Sequence, residues 1–198
     1  MKIIRTTVAL LLATMPIVGA FAQQVTLDGN IDALKDEKSV AIEFVYDSMK
    51  VGKYNDNDYV NHKKDDLNKK YPGKGDAWSL DWVQARKDKY EPGFKAGFES
   101  TSSIAINGKS DSKYTIILKT TFVEPGFHIR MIARENAVIN AVVLIVETAD
   151  KSKVVARIAV ERAIGKGPGD YDEDTYNRIM NAYQKAGEAV GKLLRAKG

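Results

Sequence analysis

The 198-residue chain contains no cysteine. A disulfide framework and a thiolate metal site are both excluded, as is a lipid anchor of the bacterial type, which needs a cysteine directly behind the signal peptide. Histidine is nearly absent too. His62 and His128 are the two present, and neither stands in an HExxH pattern or another spacing that reads as zinc ligation. No serine sits in a GxSxG elbow, and Ser100, Ser102 and Ser103 form a polar cluster with no histidine near them in sequence. The glycine-rich stretch Gly165-Lys166-Gly167-Pro168-Gly169 lacks the GK[ST] ending of a phosphate loop and reads as a connection. Asp170, Asp172 and Asp174 imitate the first ligands of a calcium loop. Thr175 then stands where that loop needs glycine and Asn181 where it needs a bidentate glutamate, so the carboxylates read as charges at a helix N-terminus. Asn55-Asp56-Asn57-Asp58 reads as a turn and cap. No catalytic residue, metal ligand or cofactor is therefore assigned.

A strong charge of either sign is also lacking. Thirty Lys and Arg face 26 Asp and Glu. Two of the positive charges, Lys2 and Arg5, precede the apolar run 8–18 and the small-residue pattern Ala20-Phe21-Ala22, which together make a secretory signal peptide with cleavage after Ala22. That run is too short for the roughly 20 residues a membrane-spanning helix needs, and every later apolar run is interrupted by charges or amides. Taking Lys2 and Arg5 from the 30 basic residues leaves +2 against the 26 acidic ones, which offers no argument for nucleic acid. The expectation is a single domain over residues 23–198, soluble in the periplasm or secreted, with Gln23 as its first residue.

What is present is alternation and one long amphipathic stripe. Residues 23–37 are polar and read as a loose lead-in. In residues 39–46, Val40, Ile42, Phe44 and Tyr46 alternate with Ala41, Glu43 and Val45, the period of a strand, and residues 49–54 suggest a short extension. Residues 55–71 read as a surface helix anchored by Tyr59, Val60 and Leu67, ended by Tyr71-Pro72-Gly73. A second helical stretch starts near Asp76 or Ser79 as N-cap, with Leu80, Val83, Tyr90, Phe94 and Phe98 on one face. Strands follow over 114–122, 137–148 and 154–164, the last two as a hairpin whose second strand turns Arg157 and Glu161 to solvent. Asn140 is the polar exception in the middle strand. Tyr176, Ile179, Met180, Tyr183, Ala186, Val190, Leu193 and Leu194 then recur at steps of three and four, predicting a terminal amphipathic helix of about seven turns. Gly187 and Gly191, with Ala186 and Ala189, are expected to let it lie close to the sheet. The predicted fold is α+β, a mixed α/β sandwich with a largely antiparallel sheet of about four strands covered by helices.

The tetrapeptide EPGF occurs twice, as Glu91-Pro92-Gly93-Phe94 and Glu124-Pro125-Gly126-Phe127. Their flanking residues share nothing, so no duplicated unit is implied. The first copy predicts a helix start or kink, since proline tolerates the first turn. The second follows a strand and predicts a type II turn centred on Pro-Gly.

Aromatics crowd residues 71–98. Trp78 and Trp82, one helical turn apart, are the candidates for an exposed platform that meets a partner or ligand, with Phe127 and His128 as further candidate binding residues. The strand "YTIILKTTFVEPGF", the hairpin "VETADKSKVVARIAVE", the glycine-rich loop and the Ala- and Gly-rich terminal helix resemble the DUF4410-like small exported bacterial envelope proteins of unknown function. The resemblance covers the second half of the chain. It implies the same fold and brings no catalytic residues, and the chain departs from it in lacking the lipoprotein cysteine. The expected function is a binding or interaction module of the cell envelope, with an envelope protein as partner, no nucleic acid and no membrane span or lipid anchor. A small-molecule-binding protein or hydrolase with a pocket between sheet and helices is the alternative. The oligomeric state is left open.

Overall fold

The computed structural model describes residues 22–106, 112–129, 132–166 and 175–197. The predicted signal peptide, apart from Ala22, lies outside them, as do Asp170, Asp172 and Asp174. The fold is α+β. Its strands are β1 (Gln24–Gly29), β2 (Ser39–Val45), β3 (Lys50–Val51), β4 (Tyr54–Asn55), β5 (Ala105–Ile106), β6 (Tyr114–Glu124), β7 (Phe127–Ile129), β8 (Ala133–Glu135), β9 (Ala137–Glu147) and β10 (Asp150–Gly165), and its helices are α1 (Asp56–Lys70), α2 (Lys74–Ala85), α3 (Glu91–Glu99) and α4 (Thr175–Lys197).

Among the described residues the main sheet has eight strands, where about four were expected. Its spine runs β1-β10-β9-β6-β2-β5, with the small β3/β4 hairpin joined to β6. The three long pairings are antiparallel, and β2 runs parallel to β6 in the register Ile42 to Ile116 and Phe44 to Leu118. Parallel neighbours cannot be joined by a tight turn, so the chain between β2 and β6 has to cross over, and it does so through the first three helices.

The surplus strands have a common reason. The expected loose lead-in is strand β1, which pairs with β10 through Val25 to Val160 and Leu27 to Ile158. Two apolar residues in six show little period by themselves. Strands β3, β4 and β5 hold two residues each, too few for any period. Asn140 lies where both of its neighbours are irregular. The pairing shifts between Thr120 and Phe122 on one side and between Val160 and Ala163 on the other, and the Asn140 side-chain oxygen accepts the Arg162 N–H at 2.8 Å. Arg162 is left-handed at φ 57°, and that bond helps hold a bulge that a bulky residue rarely adopts.

The helices supply the largest correction. Leu80 and Val83, expected on the inner face of α2, are 73% and 52% exposed. Between α2 and α3 lies one π-helical turn, Arg86–Tyr90, in which the Glu91 N–H donates to the Arg86 carbonyl five residues back. The turn directly precedes Pro92, whose missing N–H and bulky ring disturb a regular ladder. One additional residue in the turn shifts the helical phase. Counting back from Phe98, Phe94 and Tyr90 at the ordinary 3.6 residues reaches Val83 and Leu80, but with the extra residue the buried stripe passes through Ala85, Trp82 and Trp78 instead. The first EPGF is thus a helix start, as expected. The cap of α2 differs as well: Gly73, at φ 82°, precedes the helix, while Asp76 is one turn in, paired with Lys64 at 2.8 Å.

The second EPGF turns as predicted, with Gly126 at φ 66° between β6 and β7. Helix α4 packs on β9 and β10, burying Ile179, Tyr183, Ala186 and Val190 completely. Its glycines do not face the sheet. Gly187 abuts the Phe94 carbonyl and Gly191 that of Phe98, while Gly93 and Gly97 of α3 abut Met180 and Gln184 in return. Two pairs of glycines spaced by four residues let α3 and α4 touch backbone to backbone, which no side chain would permit.

Candidate functional site

Among the places where polar side chains meet open space, two lie on either side of the turn Asp47-Ser48 that follows β2. The first is at the end of the sheet beneath the helices. Asp56, in the first turn of α1, accepts the Trp82 indole N–H at 2.9 Å and pairs with the Arg86 guanidinium, both ionic partners being 16% exposed. The same guanidinium lies 4.8 Å from the centre of the Tyr46 ring. Deeper in, the Tyr183 and Thr120 hydroxyls share a hydrogen bond of 2.7 Å, and Tyr90 stacks on Tyr183 at 5.3 Å.

Burial drives the phenols of Tyr46, Tyr90 and Tyr183 far above their ordinary range, and it pushes Tyr176 up to about 12. None of these groups can serve as a base near neutral pH. A cavity of about 260 Å³ opens here between Tyr46, Ser48, Asn55, Asp56 and Arg86. Since both oxygens of Asp56 are engaged, its carboxylate is a structural clasp. It ties α1 to α2 through Trp82 and to the π-turn through Arg86.

That clasp decides the fate of the predicted platform. Trp82 is 1% exposed, and Trp78 is half-buried, stacked on it with ring centres 5.6 Å apart. Tyr59 of α1 packs against both. The pair is therefore the seam between α1 and α2 rather than an exposed surface. Phe127 is 41% exposed, and the backbone of His128 pairs with Arg134 in the β7/β8 ribbon. Among the described contacts the structure does not bring Phe127 together with the tryptophans.

The second place carries no motif, because it consists of ordinary strand positions. Along β9 the residues Ile139, Ala141, Val143 and Ile145 face the helices and are buried. Their neighbours Val142 and Leu144 point to the other side of the sheet, together with Val45, Ile117 and Ala159, and there they are only half-buried. Above them stand Lys119 and Arg157, both exposed, and neither is ion-paired among the described residues. The face closes toward the β9/β10 turn. Thr115 and Val146 are buried there, the hydroxyls of Thr115 and Thr148 meet at 2.9 Å, and Lys151 crosses to Glu43.

What stays open is a trough of about 250 Å³, with Val45, Val142 and Leu144 as its floor and Lys119, Arg157, Asp47 and Ser48 around it. Such a surface can hold an apolar group while its cations meet negative charge. The legible signal was strand alternation, which turns Arg157 outward and sets Lys119 on the face opposite Ile116 and Leu118. Among the described residues no group of three or more His, Cys, Asp or Glu is placed to hold a metal ion, and no helix is long and apolar enough to cross a membrane.

No protein-family model matches the chain, and no curated protein matches it. Among solved structures it is similar to the PelC dodecamer from Paraburkholderia phytofirmans in space group P6, at 10% identity and a TM-score of 0.36, over 83% of this chain and 97% of that one. It is similar to a substituted PelC dodecamer from the same organism in space group C2 at 8% identity and the same TM-score of 0.36, over 84% and 96%. At that TM-score the functional reading rests on the chain's own geometry.

Proposed function

We propose that the protein is an exported binding module of the bacterial cell envelope, that it recognises another envelope protein, and that it does so through the uncovered face of its sheet. The observation that supports this most is the trough. Val45, Val142 and Leu144 remain half-buried beneath two cations that lack ionic partners among the described residues, although β9 buries every apolar residue on its other side. Binding accounts for retaining such a surface, since apolar floor and charged rim are the anatomy of an interface centre. Export follows from the signal-peptide pattern around Lys2, Arg5 and Ala20-Phe21-Ala22. The resemblance to DUF4410-like envelope proteins points the same way.

The test is a photo-cross-linking residue placed at Ile117 in the chain made in its native cell. One defined protein adduct is expected, lost on Leu144→Glu and kept on Leu80→Glu. An adduct indifferent to Leu144→Glu would overturn the reading. The alternative, a small-molecule binder or hydrolase with a pocket between sheet and helices, has the polar cavity beside Tyr46 and Arg86 in its favour. The engagement of both Asp56 oxygens argues against a catalytic base there.

A further inference from the structure

The chemistry around the trough narrows what can enter it. Its floor is apolar, so the group that docks there is apolar. Lys119 and Arg157 stand on β6 and β10 with β9 between them. Two strand spacings, roughly 10 Å, and a two-residue offset along the strands separate their backbones. Both side chains line one cavity, so their long stems reach over Leu144 and Val142 from opposite sides.

The nearby carboxylates close no ion pair with them among the described residues. Glu43 is taken by Lys151. Asp28 lies opposite Arg157 in the β1/β10 register without closing an ion pair. Asp47 lies with Ser48, in the turn that follows β2, and adds a repulsive mark at that part of the rim. A partner is thus asked for one apolar side chain with negative charge on the sides that face Lys119 and Arg157.

Resting on the reading of this face as the binding surface, we infer that the partner presents an exposed apolar residue flanked by carboxylates, in the pattern Asp-Leu-Asp or Glu-Leu-Glu. A bend suits that demand, because successive side chains of an extended strand point to opposite faces, whereas a turn splays three neighbours around one apex; the flexible cations make up the remaining distance. The leucine fills the space above Val142 and Leu144 while the carboxylates meet Lys119 and Arg157, an arrangement that favours the acidic partner and rejects basic ones.

The experiment uses the full chain and blocked seven-residue peptides centred on Asp-Leu-Asp, Asn-Leu-Asn, Asp-Ser-Asp and Lys-Leu-Lys, with binding followed by isothermal titration at low and high salt. Binding is expected to be tightest for Asp-Leu-Asp, weaker by about tenfold for the Asn and Ser versions and absent for Lys-Leu-Lys, with the affinity falling as salt rises. Lys119→Gln and Arg157→Gln should each weaken it severalfold and the double variant remove its salt dependence, with thermal unfolding unchanged because both side chains are exposed. Equal binding of the Asp and Asn peptides, or indifference to the double variant, overturns the inference. Octanoate is the small-molecule arm: octanoate bound and Asp-Leu-Asp not bound overturns the peptide assignment and leaves the face standing. If the peptides fail while the Ile117 adduct still depends on Leu144, the acidic pattern is wrong. If that adduct is indifferent to Leu144→Glu, the face itself is wrong.

Discussion

Val143 and Leu144 are neighbours in one strand and similar in chemistry, yet Val143 is sealed beneath α4 and Leu144 lines an open trough. The two faces of the sheet differ less in what their strands carry than in what the connections lay over them. The link from β2 to β6 takes α1, α2 and α3 to one side. The link after β10 takes α4 to the same side, where paired glycines lock it against α3. Apolar residues on the other side receive no cover from any described helix. Coverage is a property of the connections, and an alternating strand is silent about it.

Unequal coverage should appear as unequal stability. Ile179→Ala removes a side chain fully buried between α4 and the sheet, and is expected to cost about 2 to 5 kcal/mol in chemical denaturation. Gly187→Ala places a methyl group against the Phe94 carbonyl and should cost about 1 to 3 kcal/mol through separation of α3 and α4. On the open face, Leu144→Ser should cost about 1 kcal/mol or less while changing binding, so a loss as large as that of Ile179→Ala would mean that the trough is closed in solution. Lys185→Ala, which removes the exposed partner of a pair with Glu188 at 2.8 Å, should stay within about 0.5 kcal/mol.

The smallest effect concerns pH. Burial raises the carboxyl of Glu91 above its ordinary 4.5, against the opposing influence of Lys95 and Lys87. A raised value means that the folded state holds the proton more tightly. The contribution is therefore complete below the unfolded value and is lost as pH rises through the folded one. Glu91→Gln should flatten the part of the stability profile that lies above the ordinary carboxyl value of 4.5, and a profile identical to that of the parent would show that Glu91 is solvated.

The strands β6, β9 and β10 and the helix α4 were legible because each repeats its period often enough to outweigh single exceptions. The single exception in β9, Asn140, has a role only beside a bulge in a neighbouring strand. The two EPGF copies were read correctly as unrelated, because proline and glycine act through local geometry. The inner face of α2 was misread for an equally local reason, one residue added at the π-turn, whose position before Pro92 was visible but whose effect on phase was not. The same shift carried Trp82 from the predicted platform into the core and turned Leu80 and Val83 outward. The trough's residues were all in view as strand positions, but nothing in their spacing separates a half-buried face from a buried one.

The amino-acid sequence by itself determined the local conformations, the absence of thiol chemistry, and the division of each long strand into two faces, because backbone preference and side-chain alternation act between near neighbours. The tertiary structure alone decided that β1 joins the sheet, that Asp56, Trp82 and Arg86 meet, and that Lys119 and Arg157 stand over one apolar floor. Those outcomes depend on contacts between residues far apart in the chain, and they are set by where the crossover and the glycine-paired helices place the bulk of the molecule.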